Sequence, residues 1–76
     1  MTFSKNLYYS IVTSSDRCAA GLMRDKSGEL IENIMSKSKF LLHSKVVLPD
    51  EFTILETQLV EFFENKKINL ILTTGG

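Results

Sequence analysis

A chain of 76 residues is long enough for one small domain or a piece of a larger one, and too short for two. Nine basic and nine acidic side chains give a formal net charge of zero, which excludes a general electrostatic attraction to nucleic acid or anionic membranes. The composition, 43% hydrophobic and 24% charged, is that of a globular chain and excludes a disordered one.

The sequence also argues against export and membrane insertion. Its apolar runs are a few residues long, far below the ~18 to 20 that a membrane-spanning helix needs. The amino terminus lacks the basic region and the long apolar core of a secretory signal. The single cysteine, Cys18, excludes an internal disulfide and suits a reducing compartment. We therefore expect a cytoplasmic protein.

The first predicted element is a strand over residues 7–13, where β-branched and aromatic side chains lead into a polar turn that begins at Ser14. Residues 16–28 then form a connection longer than strand-to-helix loops usually are. Long loops in compact domains commonly bind ligands, so we expect this segment to contribute to a binding site.

A helix is predicted over residues 28–38, because apolar side chains recur there at helical spacing. Asp25 or Ser27 would cap this helix. The next predicted element is a strand over residues 40–48, which ends at the only proline, Pro49. The polar residues in the middle of this strand favour a position near an edge of the sheet.

A second helix is predicted over residues 51–66, with apolar side chains on one side and acidic ones on the other. Asp50 stands directly before it and is a candidate N-cap, with a capping box of Thr53 and Glu56 as the alternative. The last predicted element is a strand over residues 69–74, whose unbroken apolar run is typical of a strand covered on both faces.

The order strand, helix, strand, helix, strand predicts an α/β fold with a mostly parallel sheet. We expect the strand order 2-1-3, in which right-handed crossovers place the two helices on opposite faces of the sheet, in three layers. The winding then reverses between the first and third strands, and ligands bind at such a point, beyond the carboxyl ends of the strands. Polar or glycine residues follow all three strands, at residues 14–16, 49–50 and 73–76.

Familiar cofactor signatures are missing from the chain. It has neither GxGxxG nor GxxxxGK[ST], and one cysteine with one histidine cannot supply a zinc site without several carboxylates. Thr74, Gly75 and Gly76 form a loop suited to a phosphate or a similar anion, because glycine lets backbone N–H groups approach a ligand closely. Glycine at this point of an α/β fold also serves packing, so both interpretations stay open.

Three acidic or hydroxyl residues at the same edge have two interpretations each. Asp50 could serve only as a helix cap, or its carboxylate could hold a Mg²⁺ ion that bridges phosphate oxygens. Ser15 and Asp16 could stabilise a turn or contact a ligand. The local sequence alone favours the helix cap for Asp50 and does not decide between the two roles for Ser15 and Asp16.

Four blocks of residues, taken together, resemble a known family. They are Ser15–Cys18 with Gly21, Asp25–Gly28, Val47–Glu51 and Leu70–Gly76. Their order and spacing are similar to those of the molybdopterin-binding domain of molybdenum cofactor biosynthesis, above all of the molybdopterin adenylyltransferases and the matching domain of gephyrin. The resemblance runs from about Ser10 to Gly76. Because the family's domain is longer, we expect residues 1–76 to be its first half, truncated after the start of the glycine loop.

The resemblance implies a cytosolic homotrimer that binds molybdopterin and, in the adenylyltransferase branch, transfers AMP from ATP to the terminal phosphate of molybdopterin with Mg²⁺. It implies that Asp50 is catalytic, through Mg²⁺. The residues that it places in the substrate and nucleotide pocket are Ser15, Asp16, Asp25, Ser27, Gly28, Thr74, Gly75 and Gly76. Nucleic acid and membranes are not among the implied partners.

The chain departs from the family pattern at two places. The Arg-Asp and Thr-Pro-Glu-Ala segments that continue the family's loop, with the second catalytic aspartate, are not among its residues, and Ser14 stands where Val or Ile is commoner. We therefore expect the 76-residue chain alone to be inactive, and at best marginally stable.

Two other functions stay open. One is a non-catalytic pterin-binding scaffold of the gephyrin type. The other is a molybdate-insertion or competence-damage relative, which ranks last because that branch carries Thr-Gly-Asp/Asn-Glu where this chain has Ser15, Asp16 and Arg17.

Overall fold

The computed structural model describes residues 6–75. Its elements, in chain order, are β1 (Leu7–Ser14), α1 (Asp16–Ala19), α2 (Lys26–Met35), β2 (Phe40–Leu48), α3 (Phe52–Glu64) and β3 (Leu70–Gly75). The three strands form one parallel sheet in the order β2-β1-β3. The predicted α/β fold and the strand order 2-1-3 are therefore confirmed.

Strand β1 forms the core because it alone has a neighbouring strand on each side. Its residues 9–13 are all buried, and Ile11 is completely so. Within residues 6–75, Phe62 of α3 is the only buried apolar side chain that comes from a helix. Strand β3 lies beside β1 only, and its residues are half-buried or exposed, so within residues 6–75 it is less covered than its apolar run predicted.

The helices lie on opposite faces of the sheet, as predicted. Side chains alternate between the two faces along a strand, and adjacent residues of β1 contact different helices. Thr13 bonds to Asp25 at the start of α2, whereas Val12 lines a cavity together with Leu55 and Leu59 of α3. The sheet therefore forms the middle of three layers.

Helix α2 begins and ends earlier than its periodicity suggested. Asp25 is the N-cap, and its Oδ1 accepts the Gly28 N–H at 2.9 Å. The helix ends at Met35 and not at residue 38, because the hydroxyls of Ser36 and Ser38 donate to backbone carbonyls of the last turn. Of the two predicted caps, Asp25 is the one the structure uses.

Strand β2 has the predicted bounds and lies at an edge of the three-stranded sheet. Its pairing with β1 shifts by one residue where Tyr9 and Ser10 face Leu42 and Ser44, so His43 is an extra residue in β2. Such a β-bulge bends the edge strand and leaves the remaining register regular up to its carboxyl end.

The long connection between β1 and α2 contains the short helix α1, which the sequence analysis did not predict. Ser15 caps it by accepting the Cys18 N–H at 3.2 Å. The helix ends at Ala19, and Gly21, with a φ of 77°, closes the following turn through bonds from Gly21 N to Cys18 O and from Leu22 N to Arg17 O. Four helical residues are too few to show a hydrophobic period, so only the cap and the glycine mark this helix in the sequence.

The prediction that Asp50 caps the second long helix is wrong. Glu51 is the residue at the cap of α3, and it makes no side-chain capping bond. Thr53 lies inside the helix, so the capping box with Glu56 is not formed either. The helix ends at Glu64, before the predicted end at residue 66.

None of the helices within residues 6–75 is long and apolar enough to cross a membrane.

Candidate functional site

The candidate site lies where the three parallel strands end together. Ser14, the last residue of β1, pairs with Leu48 at the end of β2 and with Gly75 at the end of β3. This edge is the point at which the winding of the sheet reverses, as expected for the strand order 2-1-3. Ser14 therefore occupies the centre of the carboxyl edge.

Three hydrogen bonds join the end of β1 and the two residues after it to the end of β2 and the loop that follows β2. The Ser14 hydroxyl donates to Asp50 Oδ1 at 3.0 Å. The Asp50 backbone N–H donates to Asp16 Oδ1 at 2.9 Å, and the Ser15 N–H donates to the Leu48 carbonyl at 2.9 Å. Asp50 is thus held both by its backbone and by its side chain, although it is exposed to solvent.

A cavity of about 300 Å³ opens beside these bonds. Its walls are Ser14, Ser15, Asp16, Arg17, Met23 and Asp50. They bring together two carboxylates, two hydroxyl groups and one guanidinium, with a single long apolar side chain. Such a set can bind a cation through its oxygens and an anion through the guanidinium.

A second cavity, of about 350 Å³, lies between the sheet and α3. It is lined by Val12, Ser14, Leu55, Leu59, Thr73, Thr74 and Gly75. Ser14 lines both cavities, so the two adjoin at the centre of the edge. The second cavity is walled mainly by apolar side chains and backbone, which suits the flat or apolar part of a ligand whose charged part lies next to Asp50.

The predicted residues near the start of α2 form a separate network on the other face. Asp25 Oδ1 accepts from Gly28 N and Oδ2 accepts from the Thr13 hydroxyl, both at 2.9 Å. A Cβ atom at Gly28 would lie 2.1 Å from Asp25 Oδ2, so only glycine lets the carboxylate take this position. Within residues 6–75, this network holds α2 against β1.

The structure therefore divides the predicted site residues into groups. Ser15, Asp16 and Asp50 line the first cavity, and Thr74 and Gly75 line the second. Asp25, Ser27 and Gly28 line neither of these two cavities, and their predicted contact with substrate stays a prediction. Gly76 lies outside the described residues.

Three residues of the first cavity were not among the predicted site residues. Ser14 was expected at the polar edge that follows the first strand but without a ligand contact of its own, while Arg17 and Met23 lie in the long loop. The signal that could have identified Ser14 is its place at the end of the central strand, directly before the polar turn. Nothing in the local sequence separates Arg17 and Met23 from other exposed loop residues.

The oxygen atoms of the side chains that line the first cavity are ligands of the kind that Mg²⁺ prefers. Within residues 6–75 no group of three or more histidine, cysteine and acidic side chains is close enough to hold a metal by itself. Mg²⁺ is commonly bound by only one or two carboxylates, with water and substrate phosphates completing its shell. Asp50 and Asp16, with oxygen-bearing Ser14 and Ser15 beside them, meet that requirement.

Comparison with protein families identifies a family that matches most of the chain. A family described as "Probable molybdopterin binding domain" matches residues 10–76, which is the range over which the sequence blocks resemble that family. No solved structure gave a significant match.

Curated proteins similar to this chain carry related names. A molybdopterin adenylyltransferase of Escherichia coli K12 is 33% identical over 73 residues, which are 92% of this chain and 37% of that protein. One of Helicobacter pylori J99 is 27% identical over 75 residues, or 95% of this chain and 42% of the relative. The molybdenum cofactor synthesis protein cinnamon of Drosophila melanogaster is 25% identical over 95% of this chain and 12% of its own length. The chain thus spans less than half of each relative.

Proposed function

The chain belongs to the family of probable molybdopterin binding domains, a family of molybdenum cofactor biosynthesis, and from this premise we propose that the complete protein binds molybdopterin and adenylylates it. In this reaction AMP passes from ATP to the terminal phosphate of molybdopterin. The proposal includes the cytoplasmic homotrimer that the resemblance implies, and Mg²⁺ as the required ion.

The position of Asp50 is the observation that carries this proposal. A capping aspartate would direct its carboxylate at the first N–H groups of α3, but Asp50 does not cap that helix. Its carboxylate instead lies at the wall of the first cavity, with Oδ1 bonded to the Ser14 hydroxyl and with the side chain exposed. A carboxylate held in this way is available to a metal ion or a ligand.

The charges of the cavity explain why a cation is required. Asp16 and Asp50 would both repel the phosphates of ATP, and Arg17 offsets only one of the two charges. Mg²⁺, when bound, neutralises phosphate charge and polarises the α-phosphorus of ATP. Asp50 and Asp16 would hold that ion, while Arg17 would contact a phosphate directly.

The reaction balances without a covalent enzyme intermediate. A terminal phosphate oxygen of molybdopterin bonds to the α-phosphorus of ATP, and the bond from that phosphorus to the bridging oxygen breaks. Pyrophosphate leaves with the electron pair of the broken bond. The contribution of the protein is to align the two phosphates and to stabilise their charge, which can supply most of the rate in a phosphate transfer.

Gly75 supports a ligand at the second cavity. A Cβ atom at this position would be 4.0 Å from its nearest neighbour, the Ser14 carbonyl oxygen, and Gly75 does not have a positive φ. Neither packing nor backbone conformation within residues 6–75 therefore requires a glycine here. Close approach of a phosphate or a pterin to the backbone would explain why residue 75 is a glycine.

The proposal is tested by following the two ends of ATP separately. The full-length protein is incubated with molybdopterin, Mg²⁺ and ATP labelled either at the α-phosphorus or at the γ-phosphorus. We expect the α-label in the pterin product and the γ-label in pyrophosphate, and we expect EDTA to abolish both. Binding of molybdopterin without any transfer of the α-label would contradict the adenylylation and favour the scaffold function.

A further inference from the structure

We propose that Ser14 is a positioning residue that orients the Asp50 carboxylate for catalysis. This inference rests on the proposed function, in which Asp50 is catalytic, and adds a residue that the family resemblance treats as a departure. It is carried by the bond from the Ser14 hydroxyl to Asp50 Oδ1, 3.0 Å long, between residues 36 positions apart.

The two partners of this bond differ in how they are held in the fold. The Ser14 backbone ends the central strand and is paired with β2 on one side and with β3 on the other. The residue before it, Thr13, is buried. Asp50, in contrast, lies in an exposed loop between β2 and α3. The strand pairing therefore fixes the position from which the Ser14 hydroxyl donates to Asp50.

The Asp50 backbone has its own anchor, the bond from its N–H to Asp16 Oδ1. With the backbone held, the remaining freedom of Asp50 is rotation about its two side-chain torsions. The bond from Ser14 to Oδ1 limits that rotation and leaves the other oxygen, Oδ2, for a ligand. Alignment of this kind acts on the reacting geometry, where small displacements have large effects on rate.

The hydroxyl group is the feature of Ser14 that matters, because Val or Ile has no hydrogen to donate to a carboxylate. Ser14 is half-buried and its side chain borders the open space of both cavities, so Val and Thr, which have the same shape, fill that space alike. The difference between Ser14→Val and Ser14→Thr should thus isolate the loss of the hydroxyl, and with it the orientation of Asp50.

The test compares Ser14→Val and Ser14→Thr in the full-length protein. We expect Ser14→Val to lower kcat of adenylyl transfer roughly tenfold, with the KM for molybdopterin changed less than about twofold. Ser14→Thr keeps the donor and should restore kcat to within about twofold. A wild-type kcat in the Val variant, or a change confined to KM, would overturn the proposal.

Ser10→Ala is the matched control for these variants. Ser10 lies on the same strand and the same face as Ser14, it is completely buried, and its hydroxyl has no hydrogen-bond partner in the described structure. Its replacement should leave kcat unchanged. A loss in Ser10→Ala equal to that in Ser14→Val would mean that any disturbance of β1 lowers the rate, and this too would refute the specific role.

A second measurement separates this inference from the proposed function. In protein labelled with carbon-13 aspartate, the carboxyl resonance of Asp50 is assigned by its absence in Asp50→Asn. We expect Ser14→Val to shift this resonance and Ser14→Thr to preserve it, whether or not adenylyl transfer is observed. An unshifted resonance refutes the contact, whereas a shifted resonance without adenylylation in the wild-type protein supports the contact and refutes the proposed function.

Discussion

Thr13 and Ser14 are neighbours in β1 whose side chains lie on opposite faces of the sheet, and each donates a hydroxyl hydrogen to an aspartate. On the α2 side Thr13 bonds to Asp25 at 2.9 Å, and on the α3 side Ser14 bonds to Asp50 at 3.0 Å. The donor, the acceptor and the bond length are nearly the same, yet the surroundings of the two pairs differ.

Burial and the number of partners separate the two pairs. Thr13 is 1% exposed, and both oxygens of Asp25 accept hydrogen bonds inside the chain. Asp50 is exposed and lines a cavity, and the bond from Ser14 engages only its Oδ1. On the α2 face, the bond from Thr13 to Asp25 holds a helix against the sheet. On the α3 face, a bond of the same kind from Ser14 leaves the Asp50 carboxylate available to a ligand. The predictions below test this contrast.

The largest effect is expected for Asp50→Asn. The amide keeps the shape of the side chain but removes the anionic ligand, so kcat for adenylyl transfer should fall about a hundredfold or more, equal to roughly 2.7 kcal/mol of barrier. Affinity for molybdopterin should change far less, and the free energy of unfolding should change by less than about 0.5 kcal/mol, as for other exposed positions. Turnover and pterin binding are measured on the same preparation. Near-normal turnover of the Asn variant would show that Asp50 is not catalytic.

Gly28→Ala should break the network on the α2 side. The new Cβ atom would lie 2.1 Å from Asp25 Oδ2, so the carboxylate must move and weaken its bonds to both Thr13 and the helix N-terminus. We expect a loss of about 2 to 3 kcal/mol in unfolding free energy from urea titration. Gly75→Ala is the control, with an expected change below about 0.5 kcal/mol, because space is open there. Equal effects at the two positions would contradict the contrast between the faces.

The paired variants Thr13→Val and Ser14→Val compare the two hydroxyl groups directly. Thr13→Val leaves a half-buried Asp25 oxygen without its partner and should lower stability by about 1 to 2 kcal/mol. Ser14→Val leaves an oxygen that water can reach, and its stability should change by less than about 0.5 kcal/mol. The same urea titration measures both, and a larger loss for Ser14→Val would reverse the assignment of the structural face.

The smallest effect concerns alkaline pH and Tyr9 on the α2 face. Burial raises the pKa of the Tyr9 phenol, and the nearby Glu32 carboxylate raises it further, while Lys45 acts in the opposite direction. Above the ordinary tyrosine pKa of about 10, the unfolded chain loses the phenol proton before the folded chain does, so stability falls as the pH rises through that range. Tyr9→Phe should flatten this decline in unfolding free energy. Tyr8→Phe is the control, and a flattening of equal size there would contradict the assignment to Tyr9.

Much of the fold follows from patterns that are local in the sequence. β-Branched and apolar runs predicted the three strands within about a residue of their observed bounds. The expected order 2-1-3, in which right-handed crossovers place the helices on opposite faces, is also observed. The Asp25 cap was also predictable, because its bond to Gly28 spans three residues. The four sequence blocks were enough to identify the family.

The roles of Asp50 and Ser14 were decided only by the tertiary structure. Spacing along the chain made Asp50 a good helix cap, but strand pairing brings the end of β1 beside its loop. There its carboxylate accepts from the Ser14 hydroxyl of β1, and its backbone N–H donates to Asp16 of α1. These bonds join residues 36 and 34 positions apart. Bonds within a helical turn are determined by sequence spacing, whereas bonds between loops depend on how the strands are paired and where they end.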